Sequence, residues 1–191
     1  MATLKGSKTE KNLLAAFAGE SQARNRYTFF ASVARKAGFE QIGGIFLETA
    51  ENEKEHAKVF FTYLEGGNAE ITATYPAGII ADTAANLAAA AAGEKEEWGI
   101  LYPGMAETAQ AEGFPKIAAS FRSVAEVEQW HEKRYLKLLE RVQTGTVFKR
   151  AEPILWKCRE CGRVHKGLTP PEICPTCKHA QAFYEPFCEN Y

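Results

Sequence analysis

Glu53-Lys54-Glu55-His56 and Glu128-Gln129-Trp130-His131 each set a carboxylate and an imidazole three residues apart. On a helix that spacing sends both side chains off one face, where they can hold one metal ion between them. The pairs are 75 residues apart (53 to 128), and a second repeat is interleaved with them: Ala18-Gly19-Glu20 returns as Ala92-Gly93-Glu94, 74 residues on (18 to 92). The order Glu, Glu-x-x-His, Glu, Glu-x-x-His is the donor inventory of a carboxylate-bridged two-metal site inside a four-helix bundle. Glu97, one turn past Glu94, adds a surplus carboxylate on the same side. A separate cluster follows near the end of the chain. Cys158-Arg159-Glu160-Cys161 and Cys174-Pro175-Thr176-Cys177 are two C-x-x-C knuckles with twelve residues between them, so four thiolates can close tetrahedrally around a single ion.

Four helices must carry the first set. Ser7-Lys8-Thr9-Glu10 has capping-box spacing and can open a helix on which Leu13, Phe17, Glu20, Ala23, Tyr27, Phe30 and Ala34 recur at steps of three or four. Lys36-Ala37-Gly38 ends it, and the short connection makes the next helix an antiparallel neighbour. The second helix is expected over about 39–65, with Ile42, Ile45, Phe46, Thr49, Glu53, His56, Phe60 and Leu64 inward. From Gly66 to Ile79 the residues oppose helix; some fourteen extended residues reach ~46 Å, enough to return along a helix of ~40 Å. That connectivity joins two antiparallel pairs by a long crossover. Asp82 suits the N-cap of the third helix, whose inner face would carry Leu87, Ala91, Glu94, Glu97 or Trp98, and Leu101. Pro103 opposes the carbonyl of Gly99, which predicts a break just past the ligands. The fourth helix opens at Pro115 and turns Ile117, Phe121, Val124, Glu128, His131, Tyr135 and Leu138 inward.

An acid on a core-facing stripe costs free energy unless it is paired, protonated or metal-bound. The same defect at mid-length in four helices points to a metal site. Tyr27 and Tyr102 are candidate hydrogen-bond donors to its carboxylates. The chain's 191 residues divide on this reading into a bundle over 1–146 and a small β-like metal tail over 147–191, which has little core of its own and depends on its ion to fold. A net charge of −1, from 23 basic and 24 acidic residues, argues against a nucleic-acid or membrane surface, and no apolar run is long enough to span a bilayer. The absence of an apolar leader and the clustering of four of five cysteines suit a cytoplasmic protein, with Cys188 left as an unligated thiol.

With both motifs in this order, the whole chain resembles rubrerythrin: a mainly α, ferritin-like di-iron four-helix bundle followed by a rubredoxin-like domain. The resemblance implies that Glu20, Glu53, Glu94, Glu97, Glu128 and His131 hold two irons, with Glu53 and Glu128 bridging. It also implies that His56 exchanges with Glu97 as the irons change oxidation state, and that Cys158, Cys161, Cys174 and Cys177 hold a third iron. The knuckles are closer together than in free-standing rubredoxins. The implied activity is a peroxidase that reduces hydrogen peroxide to water in oxidative-stress defence, re-reduced through its own thiolate iron. The implied partners are a rubredoxin-type or NAD(P)H-linked reductase and a second copy of the chain in a head-to-tail homodimer. Two rivals stand beside it, a ferroxidase and iron-storage protein and a zinc-stabilised interaction module.

Overall fold

The computed structural model describes residues 3–190. The first helix, α1 (Lys8–Lys36), starts at Ser7, whose Oγ accepts from the Glu10 amide at 3.0 Å. The reciprocal half of the box lands one residue early: Glu10 Oε2 accepts from Gly6 N at 2.6 Å, because Gly6 has φ +80° and turns its amide toward the helix. α2 (Glu40–Phe61) ends four residues before the expected limit, since Tyr63 and Leu64 donate to Phe60 and Phe61 and tighten the last turn. Residues 64–82 then run without helix or strand to α3 (Thr83–Glu96), where Asp82 Oδ1 caps Ala85 N at 2.8 Å.

The expected break is a π-helical turn over Glu97–Leu101. It begins at Glu97 itself. Pro103 lacks the amide that would bond Gly99, and the wide turn absorbs that defect. One extra residue per turn also rotates everything beyond it, so Leu101, expected inside, is exposed, while Tyr102 opens α4 (Tyr102–Ala111) fully buried. The last helix, α5 (Pro115–Gln143), follows its expected stripe, with Ile117, Phe121, Val124, Glu128, His131 and Tyr135 all buried. α1 packs along α2, and α3 and α4 along α5. This is the ferritin-like arrangement of two antiparallel pairs joined by a long crossover.

The core divides into two apolar layers. One gathers Ala23, Tyr27, Phe30, Phe46, Leu87 and Tyr135; the other gathers Leu13, Phe60, Tyr102, Ile117 and Phe121. On α1, α2 and α5 the inward acid lies between a residue of one layer and a residue of the other, and Glu94 lies between Ala91 of α3 and Tyr102 of α4, so a belt of carboxylates is sealed from above and below.

The tail builds an antiparallel sheet in the order β2-β1-β3 from β1 (Ile154–Cys158), β2 (Val164–Gly167) and β3 (Tyr184–Pro186). Trp156, Cys158, Cys174 and Tyr184 form its small buried centre. It leans on the α1–α2 end of the bundle: Phe148 stacks on Phe39 with centroids 6.2 Å apart, and Arg159 lies so close to Gly44 that a Cβ there would come 2.5 Å from its Nη2. No helix among the described residues is long and apolar enough to cross a membrane.

Candidate metal centre

Glu53 and Glu128 face each other from α2 and α5, and each divides its two oxygens between two histidines. Glu53 offers Oε2 to His56 Nδ1 at 2.9 Å and Oε1 to His131 Nδ1 at 3.2 Å; Glu128 offers Oε1 to His56 at 2.8 Å and Oε2 to His131 at 2.7 Å. Glu20 closes the His56 side at 3.9 Å and Glu94 the His131 side at 3.6 Å. Two donor groups result, Glu20, Glu53, His56, Glu128 and Glu53, Glu94, Glu128, His131, each with one donor atom per residue lying within 4.8 Å of the others. Shared carboxylates with one oxygen per side are what two adjacent cations require of a bridge.

The donors fit metal ions on their own chemistry. Glu20 Oε2 and Glu94 Oε2 are buried without a hydrogen-bond partner, and Glu53 Oε1, both Glu128 oxygens and His131 Nδ1, equally buried, meet only one another or His56, as close ion-pair contacts. Each unpartnered buried atom costs ~1–3 kcal/mol, and four carboxylates crowded into one dry belt around two imidazoles repel one another besides. Cations lying between them remove that cost. The four carboxylates of the two groups, Glu20, Glu53, Glu94 and Glu128, carry the charge that two divalent ions neutralise.

Without such ions the charges press on one another. Burial, then the charges of Glu97, Glu128 and Glu53, push the Glu20 carboxyl well above the usual range; burial and Glu53 do the same to Glu94, and burial and Glu94 to Glu97. Burial would also raise Glu128, but bonds to His131 and His56 hold it at about 2. Burial alone would lower both histidines; Glu128 and Glu53 instead lift His56 to about 9, and Glu128, Glu53 and Glu94 lift His131 to about 12.

Both tyrosines reach the belt. Tyr27 donates to Glu94 Oε1 and Tyr102 to Glu20 Oε1, which fixes how each terminal carboxylate is turned. Glu97 lies outside both donor groups. It is half-buried and lines a cavity of about 540 Å³ between α1, the π-helical turn and the crossover. Sequence reasoning missed that cavity, although its signal was in hand: the glycines of the two Ala-Gly-Glu repeats, Gly19 and Gly93, both line it, with Gln22 and Arg26.

In the tail, Cys158 and Cys177 have their sulfurs 3.7 Å apart, as do Cys161 and Cys174. A tetrahedron with ~2.3 Å metal–sulfur bonds has edges of ~3.8 Å, whereas a disulfide needs ~2.05 Å. The knuckles are built alike. Gly162 N bonds Cys158 O and Lys178 N bonds Cys174 O, both at 2.9 Å, while Cys158 N and Cys174 N bond Arg163 O and His179 O at 2.8 Å. The turn demands positive φ after the second cysteine of each, met by Gly162 at 76° and by Lys178 at 67°, the one non-glycine with positive φ among the described residues. Burial resists ionisation of Cys174, yet the amides of Cys177 and Thr176 bring it down to about 5. The amide of His179 favours the Cys177 thiolate, but burial and the neighbouring sulfurs carry it up to about 12. Four crowded thiols cannot all ionise without a cation. Cys188 is exposed and outside the cluster.

The comparisons with known proteins agree with this geometry. The family pattern described as Rubrerythrin matches residues 11–139, and the rubrerythrin rubredoxin-like domain matches residues 156–185. A rubrerythrin of Porphyromonas gingivalis is 64% identical over 189 residues, covering 99% of this chain and 94% of the relative. One of Nitratidesulfovibrio vulgaris is 55% identical, covering 97% of each. Among solved structures, nigerythrin in a partially reduced state superposes with a TM-score of 0.64 at 31% identity, over 96% of this chain and 90% of that one.

Proposed function

The chain belongs to the rubrerythrin family, and from that premise we propose that it is a non-haem di-iron peroxidase, reducing hydrogen peroxide to water in the bundle (1–146) with electrons taken in through one iron in the tail (147–191). The observation that carries this reading is the division of the Glu53 and Glu128 oxygens between two metal positions. A four-sulfur site on the same chain adds to it, as storage of iron has no need of an electron inlet. Nigerythrin in its fully reduced, all-ferrous state is a relative of the same architecture, 29% identical with a TM-score of 0.60, which favours iron over zinc.

When bound, two adjacent irons supply together the two electrons that O–O cleavage consumes, and the tetrathiolate iron supplies electrons singly. The residues do the rest. Glu53 and Glu128 hold both positions, and Glu20 and Glu94 hold one each in the orientation set by Tyr102 and Tyr27. Burial, then Glu20 for Tyr102 and Glu94 for Tyr27, keep both phenols above their usual range, so they stay protonated donors at neutral pH. His56, neutral once a metal had displaced its proton, would suit a ferrous pair already balanced by four carboxylates; Glu97 would suit the extra charge of a ferric pair. That contrast is the physical reason for an exchange between them.

The electron donor is a rubredoxin-type or NAD(P)H-linked reductase of the cytoplasm, and the role is defence against oxidative stress. A second copy, packed head to tail, would lay each tail near the other's bundle. Apolar groups left outside favour such pairing: Ile100 is 69% exposed and Trp130 65%. Metal analysis and a visible spectrum of the purified chain test the reading, with three irons per chain and red thiolate colour expected. Cys161→Ala should lose the colour and steady-state turnover, yet consume peroxide once after chemical reduction. Undiminished turnover would remove the tail from the electron path. A mixed dimer of Cys161→Ala with Glu128→Ala tests the route: activity requires transfer between chains.

A further inference from the structure

The cavity over Glu97 is too large for the proposed substrate. Hydrogen peroxide needs about the room of two waters, ~60 Å³, whereas this space is about 540 Å³, within the range that houses small organic ligands. Its wall is mostly apolar, with Ala15, Ala23, Leu101 and Met105 turned to it, and the crossover segment 72–76 closes its outer side. Glu97, Tyr27 and Tyr102 line it on the side of the donor belt, the two tyrosines being the ones that bond Glu94 and Glu20.

Gly19 and Gly93 carry the argument further. Both stand inside helices, where glycine is the poorest residue short of proline. Both have open space where a side chain would go: a Cβ at either position would meet nothing within 4 Å. No packing contact therefore explains the glycine in either Ala-Gly-Glu repeat, and both face the same cavity. Both copies of the repeat leave room that the chain itself does not fill.

We propose that this cavity binds the organic part of an alkyl or aralkyl hydroperoxide, so that the chain reduces ROOH as well as hydrogen peroxide. The inference rests on the peroxidase reading above. Two ferrous ions held at the Glu53–Glu128 site would each supply one electron and buffer acid in the solvent two protons, so that ROOH + 2e− + 2H+ gives ROH and H2O with the O–O bond broken. The R group lies along Ala15, Ala23 and Met105, with the peroxide end toward Glu97. Gln22 and Arg26 give the mouth its polar rim.

Cumene hydroperoxide and its unreactive alcohol product, 2-phenyl-2-propanol, are the probes. In the oxidised, iron-loaded full chain, calorimetric titration should show saturable, one-to-one binding of the alcohol. Gly19→Leu and Gly93→Leu fill the space from opposite walls and should each weaken that binding at least tenfold. With reduced enzyme the same variants should lower the ratio of kcat/KM for cumene hydroperoxide to that for hydrogen peroxide by at least tenfold, through KM. Gly19→Ala, which adds one carbon, should fall between. Failure of the alcohol to bind, or a ratio unchanged in both leucine variants, overturns the inference while leaving hydrogen peroxide reduction in place. If wild-type protein reduces neither peroxide, the peroxidase reading fails, and the titration alone decides whether the cavity is a site.

Discussion

Raising the pH should loosen the metal-free bundle, opposite to the behaviour of most proteins below pH 8. His56 is lifted from 6.5 to about 9 by Glu128 and Glu53. A raised histidine contributes stability that is complete below 6.5 and is lost as pH climbs to the folded value. At ~1.36 kcal/mol per pH unit, the loss from this group between pH 6.5 and 9 is ~3 kcal/mol. His131, lifted to about 12, adds a loss of the same sign across that window and beyond it. Glu20, Glu94 and Glu97 push the same way, since carboxyls raised by burial stabilise the fold only while protonated. Glu128, held at about 2, opposes them only in strong acid, its contribution being lost as pH falls from 4.5 toward 2.

For a chain of this size ~1 kcal/mol moves Tm by ~2–4 °C, so His56 alone should lower it by ~6–12 °C between pH 6.5 and 9. Circular dichroism at 222 nm follows the helices and so reports the bundle without the tail. Metal loading should reverse the trend, because donors must shed protons to bind and affinity therefore climbs with pH. The gap in Tm between loaded and metal-free protein should widen steadily from pH 6 to 9. A metal-free Tm that holds or rises over that range would refute the electrostatic reading of the belt.

Glu128→Ala should leave the bundle with neither ion, while Glu20→Ala should lose only the ion on the His56 side; both keep the thiolate iron, and metal analysis with the visible spectrum separates the cases. Two irons retained in the Glu128→Ala bundle would overturn the bridging assignment. Lys178→Gly should relieve a left-handed residue that costs ~1–2 kcal/mol, less the hydrogen bond from Lys178 Nζ to Pro175 O. The gain should be read as slower thermal bleaching of the thiolate bands, and bleaching as fast as in the wild type would show that this bond offsets the strain.

The bundle was legible because its periodicity is interrupted by costly residues. Glu20, Glu53, Glu94 and Glu128 lie on apolar stripes and are all buried, so the helix faces could be assigned without any coordinates. Pro103 announced a break, but its form was hidden: a π-helical turn has no pattern of its own, and an α-helical count therefore turned Leu101 inward where Tyr102 belongs. The end of α2 was misplaced for a related reason. Leu64 continues the apolar spacing, while what stops the helix is a tightened turn at Phe60 and Phe61.

Where the sequence departs from local preference without an evident gain, the departure itself points to chemistry. An acid on a core stripe pointed to metal. A lysine at positive φ belongs to a sulfur knuckle whose counterpart uses Gly162. By the same reasoning, glycine in the middle of α1 and again in α3 should have been weighed as heavily as the glutamates beside it, since a helix gives up stability to keep either one. The tail's seat on the bundle is not legible in this way. Gly44, a helical glycine with a second glycine beside it, gives up helix stability and so leaves room for Arg159 of the first metal knuckle. The glycine is a conflict that the sequence displays, but nothing in the sequence names Arg159 as what resolves it, and the contact becomes visible only when the fold brings them together.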